Sequence, residues 1–165
     1  MISYQEENNK FNFRVSAIIL DPSKKYILIH KIKGRDEFWL LPGGRMEMLE
    51  STESGISREL KEELGLKISK KRLVIISEDF FNFNKQSYHE LGFTYLITLP
   101  KNSPLLKKQG LFNGIEGEKY QFKWHRINKI KELDFRPEFL VKEIGNINKS
   151  TKIKQIVVDE RIKKR

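Results

Sequence analysis

Three glutamates, Glu59, Glu62 and Glu63, lie close together in the sequence and are its clearest candidates for chemistry. In a helix, spacings of three and four residues place them on one face. Carboxylates ~5 to 6 Å apart repel by about 3 kcal/mol at an effective dielectric of 20, and a proton, a neighbouring cation or a bound metal relieves that repulsion. Magnesium and similar hard cations prefer oxygen ligands, so the cluster is a candidate metal site. The alternative is a solvated face on which Arg58 and Lys61 balance the acids.

A helix over residues 52–64 is the element that must position these carboxylates. Ser51 is a good N-cap residue, and Gly65 supplies the left-handed stop that glycine adopts at little cost. Apolar residues recur every four positions and form a stripe that must face the core, namely Ile56, Leu60 and Leu64. The glutamates then fall on an adjacent face of the same helix.

Alternating and apolar runs elsewhere predict strands that pack against this helix. Strands over 11–20 and 26–30 flank a turn and indicate a hairpin. Further strands are predicted over 73–76, 88–99, 120–125 and 152–159, with short helical segments over 128–133 and 137–144. The connection over 99–120 contains prolines and glycines and is typical of a long functional loop. Strands interrupted by a few helices indicate an α+β domain.

The composition is that of a globular protein without disulfides. The 165 residues are 38% hydrophobic and 33% charged, and none is cysteine, which excludes disulfides and thiolate metal sites. No apolar run approaches the ~18 to 20 residues that span a bilayer, and residues 1–13 lack the pattern of a secretory signal. We therefore expect a soluble, cytoplasmic protein that forms one domain over 1–165 and has no membrane partner.

The formal net charge is +10, and part of it is concentrated in the basic segment 149–165. A basic balance attracts nucleic acid or phosphorylated small molecules by long-range steering. The alternative is that the charge only keeps the protein soluble. The predicted strand over 152–159 makes this segment part of the domain.

The glutamates belong to a longer pattern with fixed spacing. Gly44 is followed after five residues by Glu50, and after seven more by the run RELKEELGL over 58–66. This segment matches every fixed position of the Nudix box, so the chain resembles the Nudix hydrolase family. Ser54 and Gly55 stand where the family has alanine-like helix formers, and the glycine weakens the helix by about 1 kcal/mol. The resemblance implies the Nudix fold, a mixed β-sheet sandwiched between α-helices.

The resemblance also implies a metal-dependent reaction. Members of the family hydrolyse a nucleoside diphosphate linked to another group, with magnesium or manganese (Mg²⁺ or Mn²⁺) held by the box glutamates. Carried over to this chain, the implied metal ligands are Glu59, Glu62, Glu63 and the backbone carbonyl of Gly44. Arg58 would orient the carboxylates through a salt bridge, and Glu50 would support the geometry of the loop that enters the helix.

A proton acceptor for the attacking water is also needed. In related enzymes it is sometimes a box glutamate and sometimes an acid in the loop before a strand that ends in tryptophan, here Trp124. That loop offers Glu116 and Glu118, and Glu118 is the preferred candidate. Glu90 is a candidate outside the loop. The alternative for each is an ordinary solvated acid.

Candidate substrate contacts lie outside the glutamates. Arg45 directly follows the glycine pair and is better placed to contact phosphate than Lys33 or Arg35; the alternative is a solvent-exposed rim position. Phe81, within an aromatic run, is a candidate for stacking on a base, as Glu90 is for contacting substrate. The alternative for Phe81 is core packing.

The expected activity is hydrolysis of a phosphoanhydride bond in a nucleoside diphosphate derivative by water attack on phosphorus. Candidate substrates are nucleoside triphosphates, nucleotide sugars, ADP-ribose and dinucleoside polyphosphates. The alternative function is a catalytically silent Nudix-fold module that binds RNA or a regulatory nucleotide. A homodimer is a further expectation, with the strand over 152–159 as a candidate pairing edge.

Overall fold

The computed structural model describes residues 1–34 and 38–161, so Arg35 and the last four basic-segment residues lie outside the described chain. The strands are β1 (Ser3–Glu6), β2 (Asn9–Leu20), β3 (Tyr26–Ile32), β4 (Gly43–Arg45), β5 (Arg72–Phe83), β6 (Gln86–Thr98), β7 (Phe112–Gly114), β8 (Gly117–Arg126) and β9 (Lys154–Asp159). The α-helices are α1 (Thr52–Leu64) and α2 (Phe139–Asn146), and short 3₁₀ helices cover Pro104–Lys107, Ile127–Glu132 and Ile147–Lys149.

The strands form a mixed sheet in the order β7-β8-β3-β2-β6-β5-β9, with β1 and β4 also paired to β2. The predicted hairpin is present, because β2 and β3 pair antiparallel. β2 runs parallel to β6 along its whole length, and β9 runs parallel to β5. The remaining pairs are antiparallel.

Strand β2 carries the core on both of its faces because successive side chains point to opposite sides of a strand. Val15, Ala17 and Ile19 pack with the apolar stripe of α1 on one face. Ile18 and Leu20 pack on the other face with residues that include Leu140 and Ile144 of α2. The sheet therefore lies between the two helices, as expected for the sandwich.

Helix α1 has the predicted bounds and caps. The Ser51 hydroxyl accepts a hydrogen bond from the backbone N–H of Ser54, and Gly65 adopts the left-handed conformation with φ 68°. Gly55 has a packing role that the sequence did not reveal: a Cβ there would lie 2.5 Å from Sδ of the buried Met46. The glycine therefore lets the helix approach the loop that precedes it.

Several elements differ from the sequence expectation. β5 runs to Phe83 rather than ending at residue 76, because its aromatic end pairs in register with β6. The connection over 99–120 contains a 3₁₀ turn and the short β7, which pairs with β8. The segment predicted over 128–133 is a 3₁₀ helix. β1 was not expected, since its residues are exposed and have no apolar alternation. Within the described residues, no helix has the length and apolar character needed to cross a bilayer.

Candidate active site

A glycine pair in β4 allows this strand to lie close to helix α1. Gly43 and Gly44 lie in β4, opposite Ser16 and Val15 of β2. Gly43 has φ +136°, and a Cβ there would lie 2.2 Å from the Val15 carbonyl oxygen. A Cβ on Gly44 would lie 2.4 Å from a carboxylate oxygen of Glu59. Only glycines permit both approaches.

The Glu63 carboxylate is buried directly beside this turn. Its side chain is 2% exposed, and its Oε2 accepts a hydrogen bond of 3.3 Å from the Gly43 N–H. Burial raises the pKa of Glu63 to about 8, and the neighbouring Glu59 charge adds to the increase. A buried carboxylate with one hydrogen bond and a like-charged neighbour is costly unless a proton or a cation neutralises it.

Arg58 holds the other two glutamates of the cluster. Its Nη1 donates to Oε1 of Glu59 at 2.8 Å and to Oε2 of Glu62 at 3.1 Å. Burial raises the pKa of Glu59, and the Arg58 hydrogen bond opposes that increase. Glu62 is the exposed member, with 45% of its side chain accessible.

Glu50 anchors Arg58 from the loop before α1. Its carboxylate accepts from Nε of Arg58 at 2.9 Å and from Nη2 at 3.0 Å, a two-point contact that fixes the guanidinium plane. It also accepts from the backbone N–H of Glu47 at 3.2 Å. The Arg58 hydrogen bond lowers the pKa of Glu50, and Nη2 of Arg58 donates to the Arg45 carbonyl.

His30 of β3 lies close to Glu63, and the sequence analysis did not identify it as a site residue. Its side chain is 2% exposed, and its Nδ1 lies 3.9 Å from Oε1 of Glu63. The ring stacks on Tyr120 with centroids 5.0 Å apart and contacts Phe122 edge-on. Burial lowers the pKa of His30 to about 3, so the imidazole is neutral. The sequence does place His30 in an apolar strand, and because side chains alternate between the two faces of a strand, its position there predicts that it points toward α1.

Arg14 is the other residue that sequence reasoning missed. It lies on β2 opposite Arg45 of β4, and its Nη1 is 3.9 Å from Oε2 of Glu90 on β6. Its positive charge lowers the pKa values of both Glu59 and Glu63, against the larger effect of burial. No local motif marks Arg14, because its importance comes from strand pairing across the sheet.

Arg14 and Glu90 border a cleft of about 490 Å³, including the part open to solvent. Its other polar lining side chains are Ser16, Ser77, Thr94 and Arg136, and its apolar lining includes Leu40, Leu41, Phe139 and Leu140. The hydroxyls of Ser16 and Thr94, two of these lining residues, are 3.0 Å apart. The cleft thus combines apolar walls with convergent polar groups, as small-molecule sites do.

The predicted substrate contacts have different environments. The structure places Glu90 in the cleft wall. Arg45 lies in β4, with its carbonyl bound by Arg58. Phe81 stacks on Tyr88 across β5 and β6, with ring centroids 4.9 Å apart, so its ring is already engaged within the protein.

The predicted proton acceptor, Glu118, lies at the start of β8 and is 72% exposed. It forms an ion pair with Lys33, which lowers its pKa. Its neighbour in sequence, Glu116, is close enough to Glu63 to raise the pKa of that carboxyl slightly. The structure therefore brings Glu116 toward the box glutamates and gives Glu118 a basic partner.

The carboxylates suit a divalent cation by chemistry. Within residues 1–34 and 38–161, no three His, Asp or Glu side chains converge closely enough to hold a metal ion. Glu59 and Glu62 contact Arg58 instead, and Glu63 contacts the glycine turn. The donor set is nevertheless all oxygen, and Glu63 is a buried carboxylate without a cationic hydrogen-bond partner among the described residues. Both features fit magnesium or manganese.

Comparisons with known proteins identify the class. A profile of the NUDIX domain matches residues 10–142. An 8-oxo-dGTP diphosphatase from Buchnera aphidicola (subsp. Acyrthosiphon pisum) is 29% identical over 113 residues, which cover 68% of this chain and 80% of that protein. An uncharacterised Nudix hydrolase of Bacillus subtilis, YvcI, is 30% identical over 125 residues, which cover 75% of this chain and 72% of that protein.

Solved structures agree on the fold. A MutT structure, from a study of the Aliivibrio salmonicida and Vibrio cholerae proteins, superposes on this chain with a TM-score of 0.60. The two sequences are 23% identical, and the match covers 83% of this chain and 98% of that one. A MutT protein from Bacillus halodurans superposes with a TM-score of 0.60 at 17% identity, covering 90% and 91%. The chain belongs to the Nudix hydrolase family. The predicted family, its mixed-sheet fold and the enzyme class are thereby confirmed.

The raised pKa of Glu63 predicts how stability depends on pH. Between its ordinary value of 4.5 and about 8, the folded state keeps a proton that the unfolded state has lost, so the free energy of unfolding falls as pH rises. Glu63→Gln removes this decline. In the presence of a chelator, we expect the variant to match the wild type near pH 4.5 and to exceed it by on the order of a few kcal/mol above pH 8.

Urea unfolding at a series of pH values measures this difference. Glu53→Gln, at an exposed position of the same helix, controls for the loss of a helical glutamate. A stability difference for Glu63→Gln that stays constant from about pH 5 to about pH 9 would contradict the assignment.

Proposed function

We propose that this protein is a metal-dependent pyrophosphohydrolase that cleaves a phosphoanhydride bond in a nucleoside diphosphate derivative. The observation that carries the proposal is the buried Glu63 carboxylate, which lies beside Glu59 and the Gly43–Gly44 turn. A carboxylate buried in this way requires a proton or a cation to neutralise its charge. A divalent ion, which also binds the phosphate oxygens of a polyphosphate substrate, would neutralise the carboxylate, whereas a solvated helix face would not.

Glu59, Glu62, Glu63 and the Gly44 carbonyl would hold Mg²⁺ or Mn²⁺. When bound, the ions supply charge that neutralises the diphosphate oxygens and polarises phosphorus. The protein contributes the positions of these donors. Glu63 is held by the Gly43 N–H, and Glu59 and Glu62 share the Arg58 guanidinium, which Glu50 holds from the other side.

The cleft beside Arg14 is the proposed substrate site. Arg14 and Arg45 face one another across β2 and β4, next to the glycine turn, and supply positive charge for phosphate oxygens. Glu90 and the hydroxyls of Ser16 and Thr94, which line the cleft, would supply polar contacts for the rest of the ligand. Because one relative is named an 8-oxo-dGTP diphosphatase, nucleoside triphosphates, including oxidised ones, are the substrates to test first.

In the proposed reaction, a water oxygen attacks phosphorus, the bridging P–O bond breaks, and a carboxylate accepts the proton of the water. Glu118 stays the predicted acceptor from the sequence. Its ion pair with Lys33 makes it a weaker base than a carboxylate of ordinary pKa. A box glutamate, Glu62 or Glu63, is the alternative acceptor.

The RNA-binding module, the homodimer and the cytoplasmic location remain predictions. Retention of every box acid favours hydrolysis over binding alone, since a silent module has no need for these residues. Strand β9 pairs with β5 on one side and leaves its other edge without a strand partner within the described residues, which keeps it a candidate edge for a second copy.

A substrate screen with Mg²⁺ and Mn²⁺ tests the proposal. Nucleoside triphosphates, nucleotide sugars, ADP-ribose and dinucleoside polyphosphates are incubated with the protein, and the products are identified. We expect turnover of at least one class, and we expect Glu59→Gln, Glu62→Gln and Glu63→Gln each to lower kcat by roughly 10²-fold or more.

Glu53→Gln is the matched control, because it removes a glutamate from an exposed position of the same helix. Its kcat should stay near that of the wild type. Normal turnover by the Glu62→Gln and Glu63→Gln variants would reject the ligand assignment. Salt-dependent RNA binding without turnover of any substrate would favour the binding module.

The role of Glu118 has its own test. If Glu118 accepts the proton, Glu118→Gln should remove the acidic limb of the profile of kcat against pH, because that limb reports protonation of the base. Lys33→Met, which removes its ion-pair partner, should move the same limb to higher pH, since Lys33 lowers the pKa of Glu118. An unchanged profile in both variants would exclude Glu118 and leave the box carboxylates as candidates.

A further inference from the structure

His30 is a buried polar residue that the proposed reaction does not yet use. Its Nδ1 has no hydrogen-bond partner within the described part of the chain, although the side chain is 2% exposed. Leaving such an atom unpaired inside the protein is unfavourable, because it has lost its hydrogen bonds to water. A buried histidine is therefore costlier at this position than leucine would be. Its partner among the described ion pairs is Glu63, and the positive charges of Arg14 and Lys119 also act on the ring.

The geometry around Glu63 shows what His30 can do. One carboxylate oxygen, Oε2, accepts from the Gly43 N–H, and the other, Oε1, faces Nδ1 of His30 at 3.9 Å. A closure of about 1 Å brings that pair within hydrogen-bonding distance. Each carboxylate oxygen has two lone pairs, so both oxygens keep capacity for a cation after accepting these bonds.

The ring of His30 is fixed by its neighbours. Tyr120 stacks on one face with an interplanar angle of 5°, and Phe122 contacts the ring edge-on. The backbone N–H and carbonyl of His30 both pair with Leu40, just before the glycine turn. These contacts fix the position of the imidazole relative to the glycine turn, with Nδ1 directed toward Glu63.

We propose that His30 is a positioning residue for the metal ligand Glu63, donating a hydrogen bond from Nδ1–H to Oε1 so that the carboxylate keeps its orientation toward Gly43–Gly44. This inference rests on the proposed function, because it assigns Glu63 to a divalent ion. Hydrogen bonds from such outer residues orient carboxylate ligands, and their loss weakens metal affinity by about 10- to 100-fold.

Binding of Mn²⁺ alone, measured by electron paramagnetic resonance titration, tests the proposal without an activity assay. His30→Phe keeps an aromatic ring between Tyr120 and Phe122 but has no donor. We expect it to weaken Mn²⁺ binding about tenfold or more. His30→Asn places an amide N–H near the position of Nδ1, and we expect it to restore affinity to within about threefold of the wild type.

His125→Phe is the matched control. His125 lies on β8 and also has a buried ring nitrogen without a hydrogen-bond partner among the described residues. Alternation along β8 places it on the opposite face from Phe122, away from Glu63. We expect its Mn²⁺ affinity to equal that of the wild type. Wild-type affinity in His30→Phe, or equal weakening in His30→Phe and His30→Asn, would overturn the proposal.

A measurement on the wild type covers the case in which a His30 variant fails to fold. Nitrogen NMR of the protein saturated with Mg²⁺, the state to which the proposal applies, reports the tautomer of His30. The proposal requires the proton on Nδ1, and a proton on Nε2 would reject it.

The Glu63→Gln variant separates this proposal from the proposed function. Unchanged Mn²⁺ affinity in Glu63→Gln rejects the assignment of Glu63 as a metal ligand. Lost affinity in Glu63→Gln, together with wild-type affinity in His30→Phe, rejects only the role of His30.

Discussion

Burial of the Glu63 carboxylate beside the glycine turn sets the requirements for the rest of the site. A charge at this depth needs a proton or a cation, because the single hydrogen bond from the Gly43 N–H offsets only part of the cost of burying it. Helix α1 can carry the residue there because its apolar stripe anchors it to β2, and because the glycines let the turn approach the helix without a side chain between them. Fold and chemistry therefore depend on the same close contact.

Arg58 explains how a cluster of acids is tolerated on one helix before any ion binds. It contacts Glu50, Glu59 and Glu62, and these contacts raise its own pKa further above its already high value. Arginine suits this position because its planar fork binds Glu50 at two points and still reaches the other carboxylates. Under the proposed function, a bound cation would share Glu59 and Glu62 with Arg58, which also links the helix to the preceding loop through Glu50.

The sequence was most informative where the pattern is local. The bounds of α1, its Ser51 and Gly65 caps and the Nudix box all depend on neighbours within a few turns, and the structure agrees on the helix and its caps. Arg14 and His30 were missed because their positions depend on pairing between strands distant in sequence. The length of β5 was underestimated for the same reason, since its aromatic end is stabilised by partners on β6. The loop acid Glu118 was predicted from its place in the loop before Trp124, and that place does not reveal its pairing with Lys33.

The central claim is that a divalent ion replaces a proton on Glu63, and calorimetry tests it most directly. Titration of Mn²⁺ at pH 7 in two buffers with different ionisation enthalpies counts the protons released on binding. With a pKa of about 8, Glu63 is mostly protonated at that pH, so the account predicts release of close to one proton per ion by the wild type and almost none by Glu63→Gln. Binding without proton release, or equal release by both proteins, would contradict it.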